Sequence, residues 1–193
     1  DYELALTKWE NNNSDATNLA YEIFENKSLK NFYYKTISEM LSDNENKNVV
    51  YSPINVFFAF AILAEVTDGE TRNEILEVLD MNDIATLRNT AKKLYKAYYV
   101  DDGIYTSLLS SSLWLNENIK FNRETIDNLA LYYYANAYQG DMGDTNFNEE
   151  FKAWLNENTN NLLEKEVNEL SPFDERDVLV IATSIYFKGN WDT

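Results

Sequence analysis

Residues 177–193 read DVLVIATSIYFKGNWDT. From Val178 to Phe187 the run is apolar and rich in β-branched and aromatic residues; only Thr183, Ser184 and the hydroxyl of Tyr186 interrupt it. Asp174, Glu175, Arg176 and Asp177 precede it, Gly189 breaks it and Trp191 follows. Val, Ile, Thr and Tyr favour pleated backbone, so the pattern predicts a strand with both faces largely covered, in the middle of a sheet rather than on its rim. A buried helix of similar length is the alternative. Such a strand cannot close a self-sufficient domain unless neighbours cover both faces and both edges. The expectation is therefore that residues 1–193 are not an independently folded unit. A second polypeptide, most simply the C-terminal remainder of the same protein, should cover the strand's outer edge.

Composition narrows the chemistry. The chain has 193 residues, 45% hydrophobic and 15% aromatic, enough for a sizeable packed core. Lys and Arg number 16 against 33 Asp and Glu, a formal charge of −17. That charge repels nucleic acid and anionic membranes, and neither is expected as a partner. No apolar run approaches the ~20 residues of a membrane helix. There is no Cys and no His. Disulfides, thiolate nucleophiles, Cys or His zinc sites and a Ser-His relay are thereby excluded within this chain. With five Gly, neither phosphate-cradling glycine motif occurs. No catalytic residue, metal site or cofactor is expected.

Taken in order, residues 1–31 are polar and Asn-rich and read as an N-terminal extension. Phe32, Tyr33, Ile37, Met40 and Leu41 recur at helical spacing. Asn48–Tyr51 reads as a short strand. Ser52-Pro53 can cap and open a helix from Ile54 to about Val66, apolar nearly all round and therefore buried. Thr71 with Glu74 forms a capping-box pattern for Arg72–Leu79. Ile84–Tyr99 is an amphipathic helix, Tyr105–Leu115 a strand, and Asn122 caps a helix to Tyr134. Ala135–Asp144 is a short strand or loop. Phe147–Leu163 is a helix whose narrow stripe of Phe151, Trp154 and Leu155 suits one face of a sheet. The class is α+β.

The order NVVYSP (48–53), TDGETRNEIL (67–76), SSSLWLNENIKF (110–121), FKAWLNENTNNLL (151–163) and SIYFKGNW (184–191) resembles the N-terminal half of a serpin. The resemblance runs from about Phe32 to Thr193. It implies an incomplete serpin fold, with helices packed around a large central β-sheet. The reactive-centre loop and the C-terminal strands would lie beyond Thr193. It also implies a suicide-substrate inhibitor of a serine or cysteine protease: the loop is cleaved and inserts into the sheet, releasing stored strain. A serpin-like binding or carrier protein without insertion is the alternative. The target protease would be the partner, and the location extracellular or at the cell surface, with the cytoplasm also open.

By the same resemblance, Ser52, Asn55 and Thr183 sit in the shutter region where the sheet opens, and Trp191 in the breach region where the loop first enters. The sequence departs from the family pattern here. Asn55 replaces a second Ser, Thr183 replaces an Asn in the central strand, Lys152 falls where an Asn is common and Val66 where a Gly is usual. Each residue also has a plainer reading: Ser52 as a helix cap, Thr183 as a ladder-bonded Thr, Trp191 as a core Trp. Lys92, Lys93 and Lys96 lie on the helix that binds heparin in some serpins, but in so acidic a chain a solvated face is expected. Asp43–Glu45 and Asp174–Asp177 lack calcium-loop spacing. Asn12 and Asn26 each begin a glycosylation triplet.

Overall fold

The computed structural model describes residues 3–5, 22–42, 48–101 and 105–189. Helix α1 spans Lys27–Ser42, α2 Pro53–Val66, α3 Gly69–Val78, α4 Ile84–Tyr98, α5 Arg123–Tyr133, α6 Thr145–Asn158 and α7 Glu164–Asn168. The strands are β1 Glu3–Ala5, β2 Val100–Asp101, β3 Tyr105–Asn116, β4 Ala135–Gly140 and β5 Leu179–Gly189. They form one mixed sheet, and the α+β class stands.

The sheet is organised on β3. One edge pairs antiparallel with β5, from Tyr105↔Gly189 to Leu115↔Leu179. The other edge pairs antiparallel with β2 at Thr106 and Ser107, then parallel with β4 from Ser111↔Ala135 to Asn116↔Gly140. β1 adds to the far side of β4. Alternation sends Trp114 to one face, where it packs with Tyr138, Val180 and Ala182 against Phe147, Phe151 and Trp154 of α6. Leu109, Leu113, Leu115, Leu179 and Ile181 go to the other face, into a core with α2, α4 and α5.

Helix α2 is the centre of that second core. Ser52 caps it and Pro53 occupies its first turn, where the missing N–H would have no partner anyway. Phe57, Phe58, Ala61, Ile62 and Ala64 are fully buried, and Phe60 and Leu63 pack against them half-buried. The apolar sequence all round the helix thus predicts its place. The helix also buries a carboxylate: Glu65 is 2% exposed. Arg88 of α4 grips it bidentately, Nη2 on Oε1 at 2.7 Å and Nε on Oε2 at 2.9 Å. Asn128 donates to Oε1 at 3.1 Å and Tyr133 to Oε2 at 2.9 Å, both from α5. Four donors saturate the carboxylate and tie three helices at one point. The hydrogen bond to Glu65 holds the Arg88 guanidinium even further above neutrality than usual.

Several elements differ from expectation. Asn48–Tyr51 is not a strand; no described strand lies beside it, and Val50 is fully exposed. α1 begins at Lys27, inside the stretch read as an extension, because Asn26 accepts from the Leu29 N–H at 3.0 Å and Leu29 is buried. α3 is capped by Asp68, which accepts from the Gly69 N–H at 2.8 Å, so Thr71 lies inside the helix. Gly69 enters it at φ +60°, a conformation side chains disfavour. α6 starts at Thr145 because Asp144 caps it through the Phe147 N–H. It ends at Asn158, since Asn160 and Asn161 take φ of 51° and 58°, and α7 follows. Finally, β5 lies on the rim: among the described residues no strand pairs with its outer edge.

Two measurements test this core. Arg88→Met should lower the unfolding free energy of the intact protein by about 3–5 kcal/mol, because it leaves a buried carboxylate without its cation; urea titration reads this. Alkaline titration tests the buried phenols. Burial raises the pKa of Tyr33, Tyr95 and Tyr133, and the Glu65 carboxylate raises that of Tyr133 further. Below about pH 10 these phenols are neutral in both states and the stability is fully present. Above it the unfolded chain ionises first, so stability falls as pH rises towards the raised folded values, by about 1.4 kcal/mol per pH unit for each phenol. The share of the ultraviolet phenolate absorbance that belongs to these three should therefore appear together with unfolding, not before it.

Candidate functional site

The sequence places Ser52 and Thr183 over a hundred residues apart; the fold brings them together through Asn55. The first turn of α2 runs beneath β5. Ser52 accepts from the Asn55 N–H at 3.4 Å, as an N-cap. Thr183, on the α2 face of β5, donates its hydroxyl to the Asn55 carbonyl at 3.3 Å. Both distances are long for their type. The Asn55 side-chain oxygen is buried without a partner among the described residues. All three expected residues therefore meet, in a loose polar clasp between the sheet and its underlying helix.

The opposite face of β5 carries a second pair of contacts. Ser184 donates to the Asn158 carbonyl at 3.3 Å, and Asn160 donates to the Tyr186 hydroxyl at 3.3 Å. Both come from the C-terminal end of α6. The sequence reading missed them, although consecutive hydroxyls at Thr183 and Ser184 in an apolar strand must face opposite sides and each needs a partner. The N-terminal end of α6 is fixed more firmly. Asn148 donates to the carbonyls of Met142 and Asp144 at 2.8 and 2.9 Å and accepts from the Phe173 N–H at 2.7 Å. Phe147 is fully buried over Gly140, where an added Cβ would lie 2.6 Å from its ring. One end of α6 is thus packed and bolted, while the other rests on two long hydrogen bonds.

The outer edge of β5 completes the site. Beyond the reach of α2, Ile185 and Phe187 are exposed, and Phe187 meets only the Tyr105 ring, at 5.1 Å, among the described aromatic rings. Val178 is also exposed. A long apolar strand with one free edge is a template for a further strand. Trp191 lies outside the described residues, as do Asn12 and Asp43–Glu45. Of the α4 lysines, Lys93 pairs with Glu22 at 2.7 Å and Lys92 lies over the Tyr132 ring at 5.6 Å. Asp174 pairs with Arg176 at 2.8 Å, which lowers its carboxyl pKa to about 2. No described helix is long and apolar enough to cross a membrane.

Comparison with known proteins agrees with this layout. The family model of serpins (serine protease inhibitors) matches residues 27–193. An uncharacterized serpin-like protein of Methanosarcina acetivorans is 29% identical over 159 residues, covering 77% of this chain and 35% of the relative. Alpha-1-antiproteinase of Rattus norvegicus is 25% identical, covering 85% of this chain and 40% of the relative. The chain thus spans about two fifths of these relatives. Among solved structures, an Arabidopsis serpin in its native stressed conformation superposes with a TM-score of 0.73 at 23% identity, over 90% of this chain and 44% of that one. Emu ovalbumin gives 0.74 at 16% identity, over 86% and 47%.

Thr183→Val keeps the shape of the side chain and leaves the Asn55 carbonyl without its donor. It should cost about 0.5–1.5 kcal/mol in thermal or urea unfolding of the intact protein. Val at 55 would leave the backbone acceptor in place and should not reproduce that loss.

Proposed function

Because this chain belongs to the serpin family, we propose that it is the sheet-bearing N-terminal part of a protease inhibitor that acts as a suicide substrate. In this reading a reactive loop from the C-terminal part is cleaved by a serine or cysteine protease and inserts beside β5. The observation that carries the reading is the outer edge of β5, an apolar strand with which no strand pairs on that side among the described residues. Support also comes from the few, long polar contacts on either face of that strand. Among the described residues, the side-chain hydrogen bonds that a strand entering beside β5 would disturb are these two and that of Tyr186.

The mechanism asks no chemistry of this chain. The protease supplies the nucleophile and forms the acyl-enzyme; the inhibitor supplies a bait and an acceptor sheet. That division of labour suits a sequence without His or Cys. In this reading Ser52, Asn55 and Thr183 act where the sheet opens, and Trp191 where the inserting loop first enters. The setting in this reading is extracellular or at the cell surface, with the cytoplasm as the alternative.

A second reading, a serpin-fold binding or carrier protein without insertion, is favoured by the unpaired Asn55 oxygen at a position where the family pattern has Ser. One assay separates the two. The intact protein, incubated with trypsin-, chymotrypsin- and subtilisin-like enzymes and with a papain-like enzyme, should give a complex stable in SDS with at least one of them. Cleavage by all of them without a complex, and without a gain in thermal stability after cleavage, would favour the carrier.

A further inference from the structure

The Glu65 knot is more than stability requires. A carboxylate 2% exposed in an otherwise apolar helix is stripped of water, and its partners offset that loss rather than exceed it. An apolar side chain of similar volume would hold the core as well. The best-attested use of such a buried ion pair is to fix register, and the chain path shows what is held in register here.

The donors to Glu65 belong to helices that are continuous with the sheet. α4 ends at Tyr98 and β2 begins at Val100; α5 ends at Tyr133 and β4 begins at Ala135. Tyr133, whose hydroxyl donates to Glu65 at 2.9 Å, thus has only Tyr134 between it and the sheet. Helix α2 has no such continuity, since α1 precedes it and α3 follows. It is attached to the sheet and its helices at both ends. At the N-terminal end the Thr183 hydroxyl reaches the Asn55 carbonyl at 3.3 Å. About 15 Å further along the axis, at the C-terminal end, Glu65 accepts four bonds, the two from Arg88 at 2.7 and 2.9 Å.

These two attachments differ in what they allow when a strand enters beside β5. One more strand needs about 4.8 Å of width, whereas hydrogen bonds of 2.7 to 3.1 Å tolerate a few tenths of an ångström. β5, β3 and β4 share continuous ladders and move as one, so the sheet shifts across α2 with α4 and α5 attached to it. The long Thr183 bond yields first. The knot holds, and the sheet must turn about it or break it. We propose that the knot of Glu65, Arg88 and Tyr133 restrains the opening of the sheet and so sets how fast a strand is admitted beside β5. This rests on the inhibitor reading above and adds its regulation: on the α2 side, the resistance comes from the end of the helix remote from Ser52 and Asn55. Arg88 and Tyr133 act through Glu65 and are positioning residues.

The test measures how fast the intact protein takes up a fluorescein-labelled, acetylated peptide of alternating Thr and Val, as long as β5. Glu65→Met, Arg88→Met and Tyr133→Phe together replace the knot with apolar groups of similar size and leave neither its charges nor its hydroxyl behind. Uptake should be about tenfold faster than in the unaltered protein, as the loss of one or two directional bonds from the barrier implies. Arg88→Lys, which keeps the charge and loses the fork, should fall between. Leu94→Ala is the control: Leu94 is fully buried in α4 and outside the knot, so this variant loosens the core without breaking the knot. Rates are compared at matched stability in dilute urea, where the triple variant should still exceed Leu94→Ala. Should the triple variant fail to fold, Arg88→Lys is compared with Leu94→Ala in the same way. Unchanged or slower uptake, or uptake that Leu94→Ala equals at matched stability, would overturn the proposal and leave the inhibitor reading standing. No uptake by the unaltered protein or any variant would overturn that reading, and the proposal with it.

Discussion

A β-strand has two edges to satisfy and two faces to cover, and in this chain β3 meets nearly every demand while β5 meets only some. β3 is paired on one edge over its whole described length and on the other over most of it, with a packed layer on each face. It is accordingly the most deeply buried strand, closed at its C-terminal end by Trp114 and Leu115. β5 borrows its order from β3: its ladder is continuous on the inner side and has no described partner on the outer side. The structure is therefore graded across the sheet, rigid at β3 and open at β5. The proposed protease-inhibitor function concerns the open side.

The rigid side is held by two different kinds of interaction. Apolar burial supplies most of the free energy, but it is non-directional and would tolerate small slips of α2 against α4 and α5. The Glu65 carboxylate removes that tolerance. Its four donors come from two helices and fit only one mutual placement. A hydrophobic residue at that position could contribute as much stability. Together with the Thr183–Asn55 hydrogen bond, these directional bonds fix where the first turn of α2, with Ser52 and Asn55, lies under β5.

Much of this was legible in the sequence. The segment order carried the fold, because each segment is locally consistent: Pro53 after a capping Ser, an apolar α2, a narrow stripe of Phe151, Trp154 and Leu155 on α6, an alternating β3. The meeting of Ser52, Asn55 and Thr183 followed from the resemblance, not from periodicity, since no local pattern connects positions so far apart. What was missed shares one cause: partners distant in sequence. A lone acid within AILAEV should suggest a buried ion pair, yet nothing nearby names Arg88, Asn128 and Tyr133 as its donors. Asn48–Tyr51 has strand composition, but a strand exists only beside another strand. Asp68 displaced Thr71 as cap because the helix begins at Gly69, whose N–H the Asp68 carboxylate accepts, and Thr71 is thereby left inside it.

The two covers of the sheet differ in a way that bears on how it could move. On the α2 face the contact with β5 is broad and anchored to the Glu65 knot, so displacing α2 would disturb three helices together. On the other face, α6 is anchored at one end by Phe147 over Gly140 and by the three hydrogen bonds of Asn148. Its other end touches β5 and the turn after it through Ser184 and Tyr186 alone among polar contacts, each at 3.3 Å. A lever fixed at its N-terminus and lightly held at its C-terminus can lift without unfolding, whereas α2 cannot. If a strand enters beside β5, α6 is thus the cover that yields, and the polar contacts it would break lie at its far end, at Asn158 and Asn160, rather than in the aromatic cluster of Trp114, Phe147, Phe151 and Trp154.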